Sequence, residues 1–336
     1  MRVDKTTKKV HETSIIDYEI GRACTDRTKK GSSRNLPTAW GYGQISMIAS
    51  TKMTKRGNKR KEERYVTAVH ARVPLTLHDP SSAVLSHAMS RVQSLLSKDV
   101  SKNRMTREEA DEALARISPV KGDGSGLNGD EKLKDVDIVI EAIPEIPELK
   151  LGLFKRLGDL LSPTSILGSN TSSISLTKLA ASAGSMGGAQ GKSSAERVIG
   201  IHYFNPVPVM KLVEIIPALQ TSKQTIDQAT AFGRACKKEV TLSADSPGFI
   251  ANAILMPMLN EAIMVLEKGI ASTEHIDTTF RLGMGHPMGP LALADLIGLD
   301  TFSRDRKDFI DNPHSPWQVQ QGPSTGVQLF YRYYSR

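Results

Sequence analysis

The chain has 336 residues, 39% of them hydrophobic and 24% charged, with two cysteines and a formal net charge of +8. This composition is typical of a globular protein with room for two domains, and two cysteines exclude a disulfide framework. No stretch approaches the roughly 20 apolar residues of a membrane helix, and residues 1–30 lack the apolar core of a secretory signal. We therefore expect a protein of a reducing compartment with no membrane partner.

The excess positive charge lies in the N-terminal segment. Residues 1–65 contain 16 Lys and Arg against 7 Asp and Glu, and the densest basic run extends from Lys52 to Arg64. Such a run is typical of a solvated, poorly ordered stretch, although it could instead bind nucleic acid or serve as a localisation signal. We predict that residues 1–65 form an atypical basic segment, and we do not expect nucleic acid as a partner.

Short apolar segments alternate with amphipathic ones from about Val66 onward. Strand patterns occur at residues 73–77, 136–140, 165–168, 198–204, 210–216 and 239–242. Helical stripes occur at residues 84–96, 147–161 and 224–236, and a further short helix follows residues 170–173. Residues 119–133 and 181–196 are rich in small and polar residues without periodicity, which predicts loops. The alternation predicts a doubly wound, largely parallel α/β sheet.

The pattern changes at about residue 245. Residues 249–268, 274–282 and 290–298 have helical patterns, and no strand pattern lies between them. We therefore predict an α/β domain over residues 66–245 and a smaller, all-helical domain over residues 246–336.

The strands at 198–204 and 210–216 carry a candidate catalytic pair. If they fold back antiparallel about a turn near Val207, His202 faces Leu212 and lies diagonal to Glu214 on the same face of the sheet. A carboxylate that fixes the tautomer of an imidazole and stabilises its charged form suits a general base. The alternative is a histidine that only satisfies the polar end of a strand.

Further motifs accompany this pair in a fixed order. The pair itself belongs to His-Tyr-Phe-Asn-Pro-Val-Pro-Val-Met-Lys-Leu-Val-Glu. The others are Val-Ile-Glu-Ala-Ile-Pro-Glu at 139–145, Ser-Asn-Thr-Ser-Ser at 169–173, Asp-Ser-Pro-Gly-Phe-Ile-Ala-Asn at 245–252, Gly-His-Pro-Met-Gly-Pro at 285–290 and Leu-Ala-Asp-Leu-Ile-Gly-Leu-Asp-Thr at 293–301. From about Val66 to Thr301 the chain resembles the 3-hydroxyacyl-CoA dehydrogenase family, most of all its short-chain 3-hydroxybutyryl-CoA branch.

The resemblance implies a Rossmann-like doubly wound sheet, a smaller all-helical C-terminal domain, and NAD-dependent oxidation of (S)-3-hydroxyacyl-CoA to 3-oxoacyl-CoA in fatty-acid β-oxidation. It implies that His202 is the general base and that Glu214 orients it. Ser172 and Asn252 would contact the reacting substrate oxygens, and Asn205 would help to hold substrate and nicotinamide. Ser172 would also touch the cofactor. Turn chemistry is the alternative explanation for Ser172 and Asn205.

Other cofactor contacts are implied by the same resemblance. Asp79 ends the second strand of the expected βαβ unit, where a carboxylate binds the ribose 2′-hydroxyl of NAD. Its alternative role is to cap the helix that begins at Ser81. Glu145 and Lys150 match cofactor-contacting positions, and a solvated start of a helix is their alternative.

The resemblance also suggests how the rest of the substrate and any partner are bound. Lys98 and Lys102 are candidates for the CoA phosphates, and no metal site is expected. A homodimer built through the C-terminal helical domain is the expected assembly. The mitochondrial matrix is the expected compartment, with which the basic N-terminus is compatible.

The chain departs from the family pattern at both ends. A glycine-rich phosphate loop is expected just after the first strand, and Gly41-Tyr-Gly43-Gln-Ile-Ser46 is a degenerate version of it, with Ser46 in place of the third glycine. After Thr301 the expected closing motif is missing, and Ser324 stands where a lysine is expected. A misread exon boundary or a frameshift is our hypothesis for both changes, and a transcript that confirmed the sequence would refute it.

Three functions therefore stay open on the sequence alone. The first is an active dehydrogenase with an irregular phosphate loop. The second is a family member, or a faulty gene product of one, that lacks a competent NAD site. The third is a non-enzymatic binding protein that uses the basic N-terminal arm, for example on RNA, with an affinity that falls steeply with salt.

Overall fold

The computed structural model describes residues 45–48, 63–121, 133 and 135–298. The strands are β1 (Ile45–Ile48), β2 (Leu75–Asp79), β3 (Ile117–Lys121), β4 (Ile138–Glu141), β5 (Ile166–Ser169), β6 (Val198–Tyr203), β7 (Leu212–Pro217) and β8 (Glu239–Leu242). They form one sheet in the order β3-β2-β1-β4-β5-β6-β7-β8. Strands β6 and β7 pair antiparallel and the other neighbours pair parallel. The predicted doubly wound α/β sheet is confirmed.

Helices cover both faces of this sheet. They are α1 (Glu63–Val66), α2 (Ser82–Ser101), α3 (Arg107–Ala115), α4 (Pro147–Leu160), α5 (Leu176–Ala183), α6 (Gly188–Glu196), α7 (Lys223–Ala235), α8 (Ala251–Glu267), α9 (Thr273–Thr278) and α10 (Pro290–Ile297), with π-helical turns at Thr67–Ala71 and Thr279–Gly283. In β4, Ile140 clusters with Val92 of α2 and Phe232 of α7. Its neighbour Val139 clusters with Phe154 of α4 on the other face. Burial on both faces explains the continuous apolar sequence of the central strands.

The C-terminal helices form a core of their own. Leu259 of α8 and Leu291 of α10 are buried there, which confirms the smaller all-helical domain. Asp277 accepts hydrogen bonds from the backbone N–H groups of Leu291 and Ala292 at 2.8 and 3.0 Å, and so caps α10. A Cβ at Gly289 would lie 2.3 Å from this side chain, so the cap requires glycine there. Among the described residues, no helix combines the length and apolar character needed to cross a bilayer.

One predicted loop, 181–196, is wrong, and the other, 119–133, is wrong at its first three residues. Residues 119–121 belong to β3, an edge strand whose Pro119 lies opposite Leu77, and an edge position tolerates a residue that cannot donate to the ladder. Residues 181–196 contain the end of α5 and all of α6. Their small residues allow close backbone packing, since a Cβ at Gly191 would lie 2.5 Å from the carbonyl oxygen of Gly184. Small residues that permit close packing leave no helical hydrophobic stripe in the sequence.

The order of the N-terminal segment also differs from the prediction. Residues 45–48 lie within the segment assigned as atypical and poorly ordered, yet they form β1 between β2 and β4. Glu63, which also falls in that segment, begins α1 and is buried. The rest of residues 1–62 lies outside the described residues, as do 299–336, which include Thr301 and Ser324.

Two glycines of α4 allow a test of the helix packing. A Cβ at Gly158 would lie 2.3 Å from the carbonyl oxygen of Ala183, whereas one at Gly152 would meet nothing within 4 Å. We expect Gly158→Ala to lower the free energy of unfolding by about 1–3 kcal/mol through overpacking. Gly152→Ala, the matched control, should raise it by up to about 1 kcal/mol through helix propensity. Urea unfolding followed by circular dichroism measures both, and equal stability of the two variants would contradict the packing.

Candidate active site at the carboxyl ends of the strands

His202 and Glu214 form a buried pair on β6 and β7. Nδ1 of His202 lies 2.8 Å from Oε2 of Glu214, and the two residues are directly opposite in the antiparallel register. The predicted register, with Leu212 opposite His202, is therefore wrong by two residues, although the predicted face is correct. The turn is centred at residue 208 rather than 207, and within it the backbone N–H groups of Val209 and Met210 donate to the carbonyl of Pro206 at 3.0 and 2.9 Å.

The surroundings of His202 are aromatic and largely dry. The rings of Phe204 and Phe249 lie 4.9 and 5.7 Å from the imidazole, centroid to centroid, and only 10% of the His202 side chain is exposed. An ionised carboxylate can only accept a hydrogen bond, so its contact assigns the proton to Nδ1. Nε2 then keeps a lone pair with which it can take a proton from a substrate.

Glu214 also binds the helical domain. Its Oε1 accepts a hydrogen bond of 3.0 Å from the backbone N–H of Ala251, the first residue of α8. Asn252, the predicted substrate contact, is the next residue and is half-buried. One carboxylate thus holds both the general-base candidate and the start of the helix that carries Asn252.

A second carboxylate organises the loop after β5. Oε1 of Glu145 accepts hydrogen bonds from the backbone N–H groups of Ser172 and Ser173, at 3.1 and 3.3 Å, and from the hydroxyls of Thr171 and Ser173. The structure therefore brings Glu145 and Ser172 together, as the predicted site requires. Glu145 binds the backbone N–H of Ser172 rather than its hydroxyl, and the side chain of Ser172 is half-buried.

Lys150 lies behind this loop rather than in the crevice. It is completely buried, and its ammonium group contacts Glu141 at 2.6 Å, Glu145 at 3.2 Å and the carbonyl of Ile143 at 3.3 Å. These contacts account for the three donors of an ammonium group. The predicted cofactor contact of Lys150 stays a prediction; in this structure Lys150 supports Glu145 from the interior. Ser169 completes the group through its hydroxyl, 2.6 Å from Glu141.

The crevice for a dinucleotide lies where the strand order reverses, between β1 and β4. Asp79 ends β2 beside this point and is buried, with Oδ1 accepting from the N–H of Ser81 at 2.8 Å. The N-cap of α2 is Ser81 itself, so Asp79 does not fill the alternative capping role. A carboxylate at this place in the fold fits the ribose hydroxyls of NAD.

The structure describes the degenerate phosphate-loop motif only from Ile45 onward. Such a loop follows the carboxyl end of the first strand, but Ser46 lies inside β1 and the glycines precede that strand in the chain. The assignment of Gly41 and Gly43 to the phosphate loop stays a prediction. The two glycines themselves lie outside the described residues.

One cavity of about 750 Å³ opens beside α2 and α3. Lys98 and Lys237 line it, together with Pro208 of the β6–β7 turn. Burial, followed by the nearby Lys237 and Lys238, lowers the pKa of His70 in its wall to about 4, so His70 is neutral at neutral pH. Lys98 shares the wall of this cavity with other basic side chains and with the carboxylates of Asp99, Glu109 and Glu112.

The other two sequence-predicted contacts lie at the surface. Lys102, the exposed C-cap of α2, is not among the residues that line the cavity. Asn205 is exposed at the end of β6, three residues after His202.

Sequence reasoning missed three polar residues of the site, which are the buried Glu141 and Ser169 and the half-buried Asp245. Glu141 and Ser169 end central strands, and an acid that directly follows an apolar strand was the available signal for Glu141. Asp245 lies in a motif that sequence analysis identified, but its contacts with α5 come from residues distant in the chain. Nothing in the local pattern indicates such a contact. Among the described residues, no cluster of three or more His, Cys, Asp and Glu could hold a metal ion.

Comparison with known proteins places this site in a family. Residues 64–246 match the family described as "3-hydroxyacyl-CoA dehydrogenase, NAD binding domain", and residues 248–321 match "3-hydroxyacyl-CoA dehydrogenase, C-terminal domain". The chain belongs to the 3-hydroxyacyl-CoA dehydrogenase family. Its second match continues past Thr301, where the resemblance was expected to end.

Three similar proteins illustrate the relationship. A probable 3-hydroxybutyryl-CoA dehydrogenase of Bacillus subtilis is 40% identical over 235 residues, 70% of this chain and 76% of the relative. The human mitochondrial hydroxyacyl-coenzyme A dehydrogenase is 45% identical over 165 residues, 49% of this chain and 50% of the relative. The crystal structure of (S)-3-hydroxybutyryl-CoA dehydrogenase from Ralstonia eutropha has a TM-score of 0.70 at 37% identity, covering 81% of this chain and 88% of that one.

The buried Lys150 allows a test of the network behind Glu145. Lys150→Met leaves the carboxylates of Glu141 and Glu145 buried without their shared cation, so we expect a loss of about 3–5 kcal/mol in the free energy of unfolding. The exposed pair of Lys223 and Asp227 provides the control, since Lys223→Met should cost less than about 1 kcal/mol. Urea unfolding measures both, and a similar small loss in the two variants would contradict the role assigned to Lys150.

Proposed function

We propose that this chain oxidises a short-chain (S)-3-hydroxyacyl-CoA, of the 3-hydroxybutyryl-CoA type, to the 3-oxoacyl-CoA with NAD. The observation that carries the proposal is the His202–Glu214 pair, 2.8 Å apart on adjacent strands with Nε2 left as a base. Membership of the family and the printed names of the Bacillus subtilis and Ralstonia eutropha relatives support the substrate class.

The reaction removes a proton and a hydride from one carbinol. Nε2 of His202 takes the proton of the 3-hydroxyl while the hydride leaves C3, so that the carbinol becomes a ketone. NAD, when bound, supplies the acceptor for that hydride. The imidazolium that forms on His202 is stabilised by Glu214, whose oxygen lies on Nδ1, and the aromatic surroundings strengthen this attraction by excluding water.

Polar groups around the base would bind the substrate. The hydroxyl of Ser172 and the amide of Asn252 are donors for the 3-oxygen and the thioester oxygen, on which charge develops during the reaction. Asn205 would hold substrate and nicotinamide. Asp79 and Glu145 would hold the ribose groups of NAD, and the cavity beside α2, with Lys98 in its wall, would take the anionic CoA arm.

The activity can be tested with the purified full chain. We expect it to oxidise NADH in the presence of acetoacetyl-CoA, and we expect His202→Ala to lower kcat by about 10³-fold because the general acid–base group is lost. His275→Ala, at an exposed histidine of α9, is the matched control and should keep full activity. Absorbance at the NADH band measures all three.

The outcomes separate the three functions. Turnover that disappears only in His202→Ala supports the dehydrogenase. A folded chain that shows no turnover, and whose tryptophan fluorescence is not quenched when NADH is added, supports the catalytically impaired family member. Salt-sensitive RNA binding that is lost on removal of residues 1–65, without turnover, supports the non-enzymatic binding protein.

We also propose a homodimer built through the helical domain. Three apolar side chains of this domain are strongly exposed: Ile254 (63%), Leu282 (79%) and Met284 (59%). Such exposure on neighbouring helices is typical of a surface that a partner covers. A second copy of this chain is the partner we propose.

A single charge in this surface tests the assembly. We expect the wild type to sediment as a dimer and Leu282→Asp to sediment as a monomer, because a buried carboxylate would be left unpaired. Leu219→Asp, at an equally exposed leucine of the sheet domain, should remain dimeric. Analytical ultracentrifugation decides, and a monomeric wild type would refute the proposal.

A further inference from the structure

The loop that carries Ser172 is held at both ends by carboxylates. Glu145 holds the N–H groups of Ser172 and Ser173. At the other end, Asp245 accepts from the hydroxyl of Ser175 at 2.8 Å. It also accepts from the backbone N–H groups of the first two residues of α5, Leu176 at 3.0 Å and Thr177 at 2.8 Å.

Asp245 does not belong to the same part of the chain as this loop. It lies in the connection between β8 and α8, and so between the sheet domain and the helical domain. The far end of this connection is Ala251, whose N–H is held by Glu214. Between these two ends, Gly248 has a φ of 75° and Phe249 packs its ring against His202.

The connection is therefore hydrogen-bonded at both ends. Asp245 binds the end of the Ser172 loop, and Ala251 binds Glu214 of the catalytic pair. A shift of the Asp245 end would move the start of α5, and with it the Ser172 loop, relative to His202. Charge-assisted hydrogen bonds to helix N-terminal N–H groups are among the stronger local contacts in proteins. The α5 helix has no acidic residue in its own first turn, so Asp245 supplies that charge from outside.

We propose that Asp245 is a positioning residue for catalysis. It fixes the position of the Ser172 loop relative to His202 and to Asn252 of the helical domain. The reaction therefore depends on how the two domains are placed. This inference rests on the proposed function for its kinetic consequences but not for its structural ones. It assigns Asp245 no contact with substrate or cofactor.

The chain contains a matched control for this role. Asp277 is half-buried like Asp245, and it caps α10 through two backbone N–H groups. The helices α10 and α5 have eight residues each. Asp277 lies in the helical domain, and its hydrogen bonds among the described residues go to α10 and not to the Ser172 loop. Asp245→Ala and Asp277→Ala therefore remove comparable caps, and only the first should affect the active site.

Amide hydrogen exchange of the full chain tests the proposal without reference to activity. We expect Asp245→Ala to reduce the protection of the Ser172 and Ser173 amides by about tenfold, because the loop opens as one unit, although their own partner Glu145 is untouched. Asp277→Ala should leave these amides unchanged. Unchanged protection of Ser172 and Ser173 in Asp245→Ala would overturn the proposal.

A double-mutant cycle with Ser172→Ala supplies the kinetic readout. We expect Asp245→Ala to lower kcat with acetoacetyl-CoA by about tenfold and to leave the KM for NADH within about twofold. In the Ser172→Ala background the same change should cost less than about twofold, because its effect passes through Ser172. Additive losses, or an equal loss in Asp277→Ala, would overturn the positioning role.

A wild type without turnover would refute the proposed function alone, since the exchange experiment still decides the role of Asp245.

Discussion

The active site depends on the antiparallel pairing of β6 and β7. This register places Glu214 directly opposite His202 in a sheet whose other neighbouring strands pair parallel. Because side chains alternate along a strand, a slip of one residue would put the carboxylate on the opposite face and leave the imidazole without its partner. The turn that sets the register is held by Lys238, whose ammonium group binds two of its carbonyls.

Carboxylates connect this pair with the rest of the site. Glu214 uses one oxygen for His202 and the other for the start of α8. Glu145 and Asp245 hold the two ends of the Ser172 loop, and the ammonium group of Lys150 forms ion pairs with both Glu141 and Glu145. Burying a polar or charged group is unfavourable unless the group has a hydrogen-bond or ion-pair partner, and each of these contacts supplies one. These contacts fix the relative positions of the candidate groups, which suits a reaction in which a proton and a hydride leave from fixed directions.

Much of the site could be predicted from the sequence because its motifs are local. The spacing from His202 to Glu214 and the strand patterns on either side indicated a supported histidine on one face of a hairpin. Asp79 could be placed because it ends an apolar strand before a helix. Errors arose where packing rather than pattern decides the structure, as in α6, whose small residues give no hydrophobic stripe, and in β1, where Ile45–Ile48 had been assigned to a basic segment.

By itself, the sequence determined the class of fold and the family, and it supplied the candidate base, since each depends on residue types at short separations along the chain. Only the tertiary structure decided that Lys150 lies behind Glu145, that Glu214 also holds α8, and that Asp245 caps a helix that begins 69 residues earlier in the chain. These contacts join side chains to groups far away in sequence. Hydrogen bonds of that kind form only once the sheet has fixed the relative positions of its strands and helices, so no local pattern records them.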